Sequence, residues 1–489
     1  MKPEKRVPAV RIRRANDAPV NDRGDYVLYW MIANRRAEWN FALDRAVERA
    51  NELNRPVLVL EALRVGYRWA CDRFHNFILD ALDEHRGVFE KKNVSYYPYV
   101  EPSPGEGRGL IERLGRRACI VITDEFPCFF LPAMVEKAGD MLPVMLEVVD
   151  SAGLLPMRDS PRAFPTAYSF RRFLQKRLPE RLQERPGKDP FSSYRVVGRA
   201  DIPDEITTRW PPAGIVLDRT GGVSGLPIDH NTGPGYCRGG AEAARDRLGQ
   251  FLAGPLATYH ERGRDAEQDL TSGLSPYLHF GHISSHEVFH SVSRSQGWSL
   301  DRLSTSASGG RSRWWGMSPG AEAFLDQLVT WRELGFNMCM LGSGWDSYES
   351  LPDWALSTLK AHEEDPRPHL YRPEDFEAAE THDELWNVIQ RQLLTEGRIH
   401  NYLRMLWGKK ILEWSRSPRT ALEVMLELNN KYSLDGRDPN SYSGVFWVLG
   451  RYDRAWGPER PVFGKIRYMS SKNTARKLRV EKYISKYQP

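Results

Sequence analysis

At 489 residues the chain exceeds the size at which one hydrophobic core keeps growing, so two or three domains are expected. A hydrophobic fraction of 41% and a charged fraction of 27% come without a bilayer-length apolar run or a signal-like start, pointing to a soluble, cytoplasmic protein without a membrane partner. The formal charge of +5, to which the last forty residues contribute much, favours a polyanion partner. Five cysteines, Cys71, Cys119, Cys128, Cys237 and Cys339, lack CxxC spacing, which argues against a thiolate metal site or a disulfide scaffold.

Residues 1–24 read as an N-terminal arm. The segment DYVLYWMIANRRAEWNFALDRAVERANELNRPVLVLEAL then runs strand, periodic helix and second strand ending near Leu60, a β-α-β unit that implies a parallel sheet. A helix from Phe74 to His85, the strand VSYYPYV, a helix from Gly109 to Arg117 and the strands in ACIVITDE and PVMLEVVD continue the pattern. Residues 25–155 are therefore expected to form an α/β domain with a Rossmann-like open parallel sheet.

From 156 to 250 the chain is rich in Pro, Arg and Gly and reads as an interdomain connector with short helices. Beyond it, over 251–489, FLAGPLATYHERG, ISSHEVFHSVSRS, GAEAFLDQLVTWREL, HDELWNVIQRQLL and two helices between 400 and 430 give helical periodicity throughout. This predicts an all-helical C-terminal domain.

Within that domain GRIHNYLRMLWGKKILEW, residues 397–414, places His400, Arg404, Trp407, Ile411 and Trp414 near one helix face. Arg404 on so apolar a face needs an anion. Residue types alone allow two readings of the tryptophans, core knobs or an electron relay, because indole is both large and oxidisable.

Longer segments go further. THDELWNVIQRQLLTEGRIHNYLRMLWGKKILEW and LNNKYSLDGRDPNSYSGVFWVLGRYDRAWGPERPVFGKIRYMS resemble the C-terminal catalytic region of the class II cyclobutane pyrimidine dimer DNA photolyases, within the photolyase and cryptochrome family. SGLSPYLHFGHIS at 272–284 resembles that family's flavin-binding segment, LDQLVTWRELGFNMC at 325–339 its substrate-facing helix, and YWMIANRRAEWNFAL the start of its antenna domain.

The resemblance implies FAD held non-covalently in the helical domain, active when reduced, and light-driven electron transfer from it to a dimer flipped out of UV-damaged DNA. Tyr259, Thr271, Ser272, Gly273, Leu274 and Ser275 are implied on the cofactor's phosphate side, with Gly273 standing where asparagine is more usual. Arg404 and Asp435 are implied as a buried ion pair beside the ring, and Asn429 near its N5; Asp438 of the LDGRDP turn reads as a cap. The photoreduction path is implied to run from Trp407 to Trp386, with Trp414 auxiliary. Leu406 stands where a tyrosine is frequent, so that Tyr371 becomes a candidate last donor.

On the DNA side Trp331 and Trp447 are implied to flank the dimer, with Met405 as the soft contact below it. Arg454, Trp456, Lys465, Arg467 and Lys472 are implied to enter the opened duplex and hold phosphates. Gln327 occupies the place of the usual acidic residue facing the dimer: an amide still hydrogen-bonds but has no carboxylic proton. Together with Met340 and Leu341, where aromatics are common, it keeps a cryptochrome-like photoreceptor or regulator as the alternative. An antenna chromophore, deazaflavin or folate, is implied for the sheet domain without residues to choose between them. No metal is expected, since His279, His282 and His400 lack zinc spacing, and the chain is expected to be a monomer.

Overall fold

The computed structural model describes residues 7–196, 198–262, 267–268 and 270–488; part of the 1–24 arm lies outside them. Two compact units divide the chain. The first comprises Met1–Pro161, Leu178–Leu248 and Leu274–Arg294, the second Arg162–Arg177, Gly249–Gly273 and Ser295–Pro489.

The first unit is built on six strands, β1 (Ile12–Arg14), β2 (Tyr26–Met31), β3 (Val57–Leu63), β4 (Ser95–Val100), β5 (Ala118–Asp124) and β6 (Leu146–Val149), in the order β1-β6-β5-β2-β3-β4. All neighbours are parallel except β1 and β6. Every residue of β2, β5 and β6 is buried, because crossover helices cover both faces of a parallel sheet and leave no room for polar alternation. The crossovers include α1 (Phe41–Leu53), α2 (Asp72–Lys91), α3 (Leu110–Arg117) and α4 (Leu131–Met141). Asn40 starts α1 by accepting from the amides of Ala42 and Leu43 through its side chain.

The expected parallel sheet is present, with one addition. Residues of the arm form β1, an antiparallel edge strand reading Ile-Arg-Arg, too short and too polar to register as alternation. A charged residue inside β3 is also accommodated: Glu61, fully buried, accepts from Arg35 at 2.9 Å, His85 at 2.8 Å and the Tyr96 hydroxyl at 2.7 Å. Burial alone would raise its carboxyl, but these partners outweigh it and hold the pKa down at about 2.

The second unit is helical. Helix α5 (Pro319–Leu325) runs into a π-helical turn, Asp326–Trp331, and on into α6 (Arg332–Leu341); α7 (Asp353–Ala361), α8 (Glu384–Glu396), α9 (Asn401–Trp414), α10 (Pro418–Tyr432) and α11 (Pro439–Val448) follow. Local chemistry sets several boundaries. Asp383 caps α8 by accepting from the Trp386 amide, Gly397 ends it in the left-handed region at φ 73°, and Asp438 caps α11, as the LDGRDP turn suggested. Helix α9 was expected to bury one face. It is buried almost all round from Leu403 to Trp414, packed between α8, α10 and α11.

Candidate active site

The helical unit assembles most of the residues singled out from the sequence. On α9, Arg404 donates through Nη2 to Asp435 Oδ1 at 3.1 Å; the two side chains are 16% and 17% exposed. Asp435 is oriented by the Ser433 hydroxyl at 2.6 Å. Arg404 Nε is buried and has no hydrogen-bond partner among the described residues. A half-buried guanidinium whose Nε is enclosed with its donor unused, beside a carboxylate, suits an acceptor group that the protein itself does not supply.

Asn429, 1% exposed, stands on α10 and donates through Nδ2 to Ser441 Oγ at 2.5 Å. The Asn429 carboxamide is therefore held by α11, which begins in the turn that also carries Asp435. Tyr259 packs edge-on against Phe251 and Phe324, and burial, with a smaller contribution from Asp326, pushes its hydroxyl up to about 12. Thr271, Ser272 and Gly273 belong to the helical unit, whereas Leu274 and Ser275 fall in the sheet unit, where Ser275 opens the short helix Ser275–His279. Gly273 has φ +64°, a left-handed conformation that glycine and asparagine share.

Three tryptophans are almost completely enclosed: Trp386 at 0%, Trp407 at 1% and Trp414 at 2% exposure. Trp407 Nε1 donates to Gln390 Oε1 at 2.9 Å, and Trp386 Nε1 to the Trp407 carbonyl oxygen at 3.0 Å. The Trp386 and Trp414 rings meet edge-on with centroids 6.0 Å apart, and Trp414 meets Tyr371 in the same way at 5.8 Å. Tyr371 is half-exposed and its hydroxyl lies 2.8 Å from His382 Nδ1. Leu406 is fully buried.

A second group gathers at the end of α11. Arg467 lies 5.3 Å from the Trp447 ring and 4.0 Å from the Trp456 ring, and Arg454 lies 4.5 Å from Trp456. Asp453 ties them: it accepts from Arg467 Nε at 2.9 Å and Nη2 at 3.1 Å, and from Trp456 Nε1 at 3.2 Å. Burial would raise the Asp453 carboxyl, but the hydrogen bonds from Arg467, the Arg454 amide and Trp456 prevail and lower it. Lys465 is exposed and 3.3 Å from Glu459, while its carbonyl accepts from the Trp456 amide. Lys472 is exposed and, among the described residues, forms no hydrogen bond or ion pair with this group.

Trp331, Met405 and Trp447 are each half-buried, on the π turn, α9 and α11. Gln327 is exposed, and its backbone carbonyl accepts from the Arg332 amide within the π turn. Its neighbour Asp326 turns inward to a two-pronged ion pair with Arg171, at 2.7 and 3.2 Å, so it is not a substitute for Gln327 at the surface. Met340 is half-buried and Leu341 is 39% exposed.

Over 482 residues the chain is 30% identical to the deoxyribodipyrimidine photo-lyase of Methanothermobacter thermautotrophicus, spanning 98% of both chains. The chain belongs to the deoxyribodipyrimidine photo-lyase family. The photo-lyases of Oryza sativa subsp. japonica, 33% identical over 94% of this chain and 87% of theirs, and of Potorous tridactylus, 30% over 97% and 84%, agree. No protein-family model matches. The fold of this photolyase is shared with a class III photolyase from Agrobacterium tumefaciens, TM-score 0.64 at 17% identity over 95% and 86% of the two chains. A Synechocystis cryptochrome shares it too, TM-score 0.66 at 14% identity over 94% and 88%.

Four residues that contact the candidate site residues escaped the sequence reading. Gln390 and Ser441 are the buried partners of Trp407 and Asn429, and Asp453 joins the two arginines to Trp456. Lys409, a lysine beside the tryptophans, is fully buried. The signal was available: from Leu403 to Trp414 apolar residues recur on every side of α9 despite its four charged ones, as on an enclosed helix, and its lysines are enclosed with it.

Proposed function

We propose that this photolyase is of class II and repairs cyclobutane pyrimidine dimers in DNA, using light and an FAD held in its helical unit. The observation that carries the reading is the succession of redox-capable residues Trp407, Trp386, Trp414 and Tyr371, joined first through the Trp407 carbonyl and then by ring contacts, which starts on the helix of Arg404 and ends at a half-exposed phenol. A core packed for stability alone has no need to run indoles toward the surface next to an arginine with a spare buried donor. Reduced FAD, when bound, supplies the light-driven electron that opens the cyclobutane ring.

The chain's own residues do the remaining work. Arg404, fixed by Asp435, offers a cation and a free N–H to the cofactor, and Asn429, restrained by Ser441, presents a neutral amide. Tyr259, Thr271, Ser272, Gly273, Leu274 and Ser275 are proposed for the phosphate side. Trp331, Trp447 and Met405 supply flat and soft apolar walls for an extrahelical dimer, and Gln327 a hydrogen-bonding amide. Arg454, Arg467, Trp456, Lys465 and Lys472 supply cations and an indole for the opened backbone.

The absence of a carboxyl at Gln327 favours a cryptochrome-like role as the second reading. One experiment separates them: record the absorption spectrum of the purified protein, which also reports a deazaflavin or folate, then measure blue-light repair of a defined thymine dimer and of a (6-4) lesion. Flavin absorption with repair of the first substrate alone is expected. Flavin without repair of either would leave the photoreceptor reading, and a flavin-free protein would overturn both.

A further inference from the structure

We propose that Lys409 is a positioning residue for Trp447, and that seating damaged duplex against this indole is coupled to uptake of a proton by the Lys409 amine. The inference rests on the DNA-side reading of Trp447, Arg454 and Arg467 given above.

The local sequence builds the arrangement. Gly408 lets α9 approach α11 and α10 closely: a Cβ at that position would lie 2.5 Å from Val448 Cγ2 and 3.0 Å from Met425 Sδ. The next residue, Lys409, is thereby carried fully inside, with Nζ donating to the Val448 carbonyl and lying 5.1 Å from the centre of the Trp447 ring. Val448 ends α11; the Phe446 and Trp447 carbonyls are taken by following amides, and the Val448 carbonyl by Lys409, at a helix end where a cation is favoured. One amine thus holds both the backbone that follows Trp447 and the ring itself.

The charges around the amine do not balance when it is protonated. Helix α11 carries no Asp, Glu, Lys, Arg or His, and α10 presents Met425 at the crossing. On α9 the adjacent Lys410 serves Glu413 and the Trp414 ring instead. From the 453–467 segment come Asp453, already engaged by Arg467, and Arg467, which shares the Trp447 ring with Lys409. Burial dominates, Asp453 opposes it and Arg467 adds to it, so that the amine's pKa falls to about 7.

Near neutrality, then, the empty face holds a mixture of amine and ammonium. A DNA phosphate arriving at Arg454, Lys465 or Arg467 adds the missing negative charge and favours the ammonium. The ammonium in turn grips the Val448 carbonyl and the indole more strongly than the neutral amine does. Lesion binding and protonation therefore reinforce each other, and the coupling is reciprocal.

The test is calorimetric titration of the holoenzyme with a thymine-dimer duplex at about pH 8, in buffers of different ionisation enthalpy, which counts the protons taken up. The wild type should absorb a substantial fraction of one proton, and its affinity should fall by up to about tenfold per pH unit as the pH rises above about 7. Lys409→Met should bind without that uptake and with a flat profile, while Lys409→Arg, permanently charged, should bind with no pH dependence of its own. His362, a histidine of this region, pairs with Asp365 and Glu459; His362→Gln should retain the uptake. No proton uptake by the wild type, equal uptake in a folded Lys409→Met, or loss of it in His362→Gln would each overturn the proposal. Failure of the wild type to bind the dimer duplex would instead overturn the DNA-side reading on which it stands.

Discussion

Trp386 Nε1 donates to the carbonyl oxygen of Trp407 across 3.0 Å, joining α8 to the backbone of α9. The bond fixes one indole against the turn that carries the other, and Trp407 is fixed separately through Gln390. Neither tryptophan can change rotamer without leaving a buried polar partner unmatched. Rigidity of this kind serves packing and electron transfer alike, which is why kinetics must tell them apart.

Replacing Trp407 or Trp386 by Phe should slow photoreduction of the oxidised cofactor markedly while leaving dimer repair by chemically reduced enzyme largely intact. Trp407→Phe also strands Gln390 Oε1 in the core, at a cost of about 1–3 kcal/mol, so denaturant unfolding should be measured on the same samples. Equal loss in both kinetic assays, with folding preserved, would remove the relay role.

Tyr371 closes the line at the surface, and its hydroxyl is hydrogen-bonded to His382. Burial first, then the charges of His369 and Lys410, lower the His382 pKa from its ordinary 6.5, so the imidazole remains neutral and able to accept a phenolic proton around neutrality. Tyr371→Phe should reduce the yield of long-lived photoreduced enzyme. In the wild type that yield should decline as the pH drops below 6.5 and His382 becomes protonated. A yield independent of pH and of the Tyr371 hydroxyl would show that Trp414 is the terminal donor.

Gln327 faces solvent from the π turn while Asp326 is spent on Arg171. Gln327→Glu should therefore raise the quantum yield of dimer repair, by placing a carboxyl on the face proposed to take the lesion, without a change in stability beyond about 0.5 kcal/mol. Asp326→Asn should do the opposite: it leaves Arg171 buried without its counter-ion and should destabilise the helical unit by about 3–5 kcal/mol. Repair yields and urea midpoints of the two variants decide the matter, and an unchanged or lower yield for Gln327→Glu would show that this position does not meet the dimer.

The parallel sheet was legible because strands covered on both faces leave uninterrupted apolar runs such as Tyr26–Met31. The helices of the second unit were legible from their spacing. Three things were not. Edge strand β1 has three residues and two arginines. The π turn at Asp326–Trp331 inserts its extra residue without any change in composition. The partners that immobilise the site, Gln390, Ser441 and Asp453, lie between 12 and 17 positions from Trp407, Asn429 and Arg467, or from the opposite helix, and no local period reaches them. Resemblance carried the roles of Trp386, Asn429 and Gln327, which residue type and spacing alone left indistinguishable from ordinary core or surface residues.

Arg404 and Asp435 are partly solvated, so their pairing is worth less than a fully buried bridge, on the order of 1 kcal/mol. Asp435→Asn should cost that much in folding while releasing the cofactor much more readily, because the guanidinium loses the group that orients it. Flavin retention through gel filtration, compared with the unfolding midpoint of the same variant, checks this; a large loss of stability with full retention would mark the pair as structural.

Lys409 sets a pH dependence of stability whose sign is opposite to the one usually met with lysines. Its pKa is about 7 in the folded protein against the ordinary 10.5, so between those values the unfolded chain binds the proton and the native one does not. Stability must then rise with pH across that interval, by at most about 1.4 kcal/mol per unit for one proton, and become independent of Lys409 below about pH 7, where both states are protonated. Burial pushes the Cys119 thiol up from its ordinary 9.0 and buried tyrosines such as Tyr452 up to about 12; these act in the other direction only as the pH approaches 9 and 10 respectively, which leaves about pH 7 to about 8 as the clean window. Urea unfolding across it should show the rise in the wild type and lose it in Lys409→Met, whose apolar side chain carries no charge to desolvate. If the two curves run parallel, the amine is not held uncharged in the core, whatever its distance from Trp447.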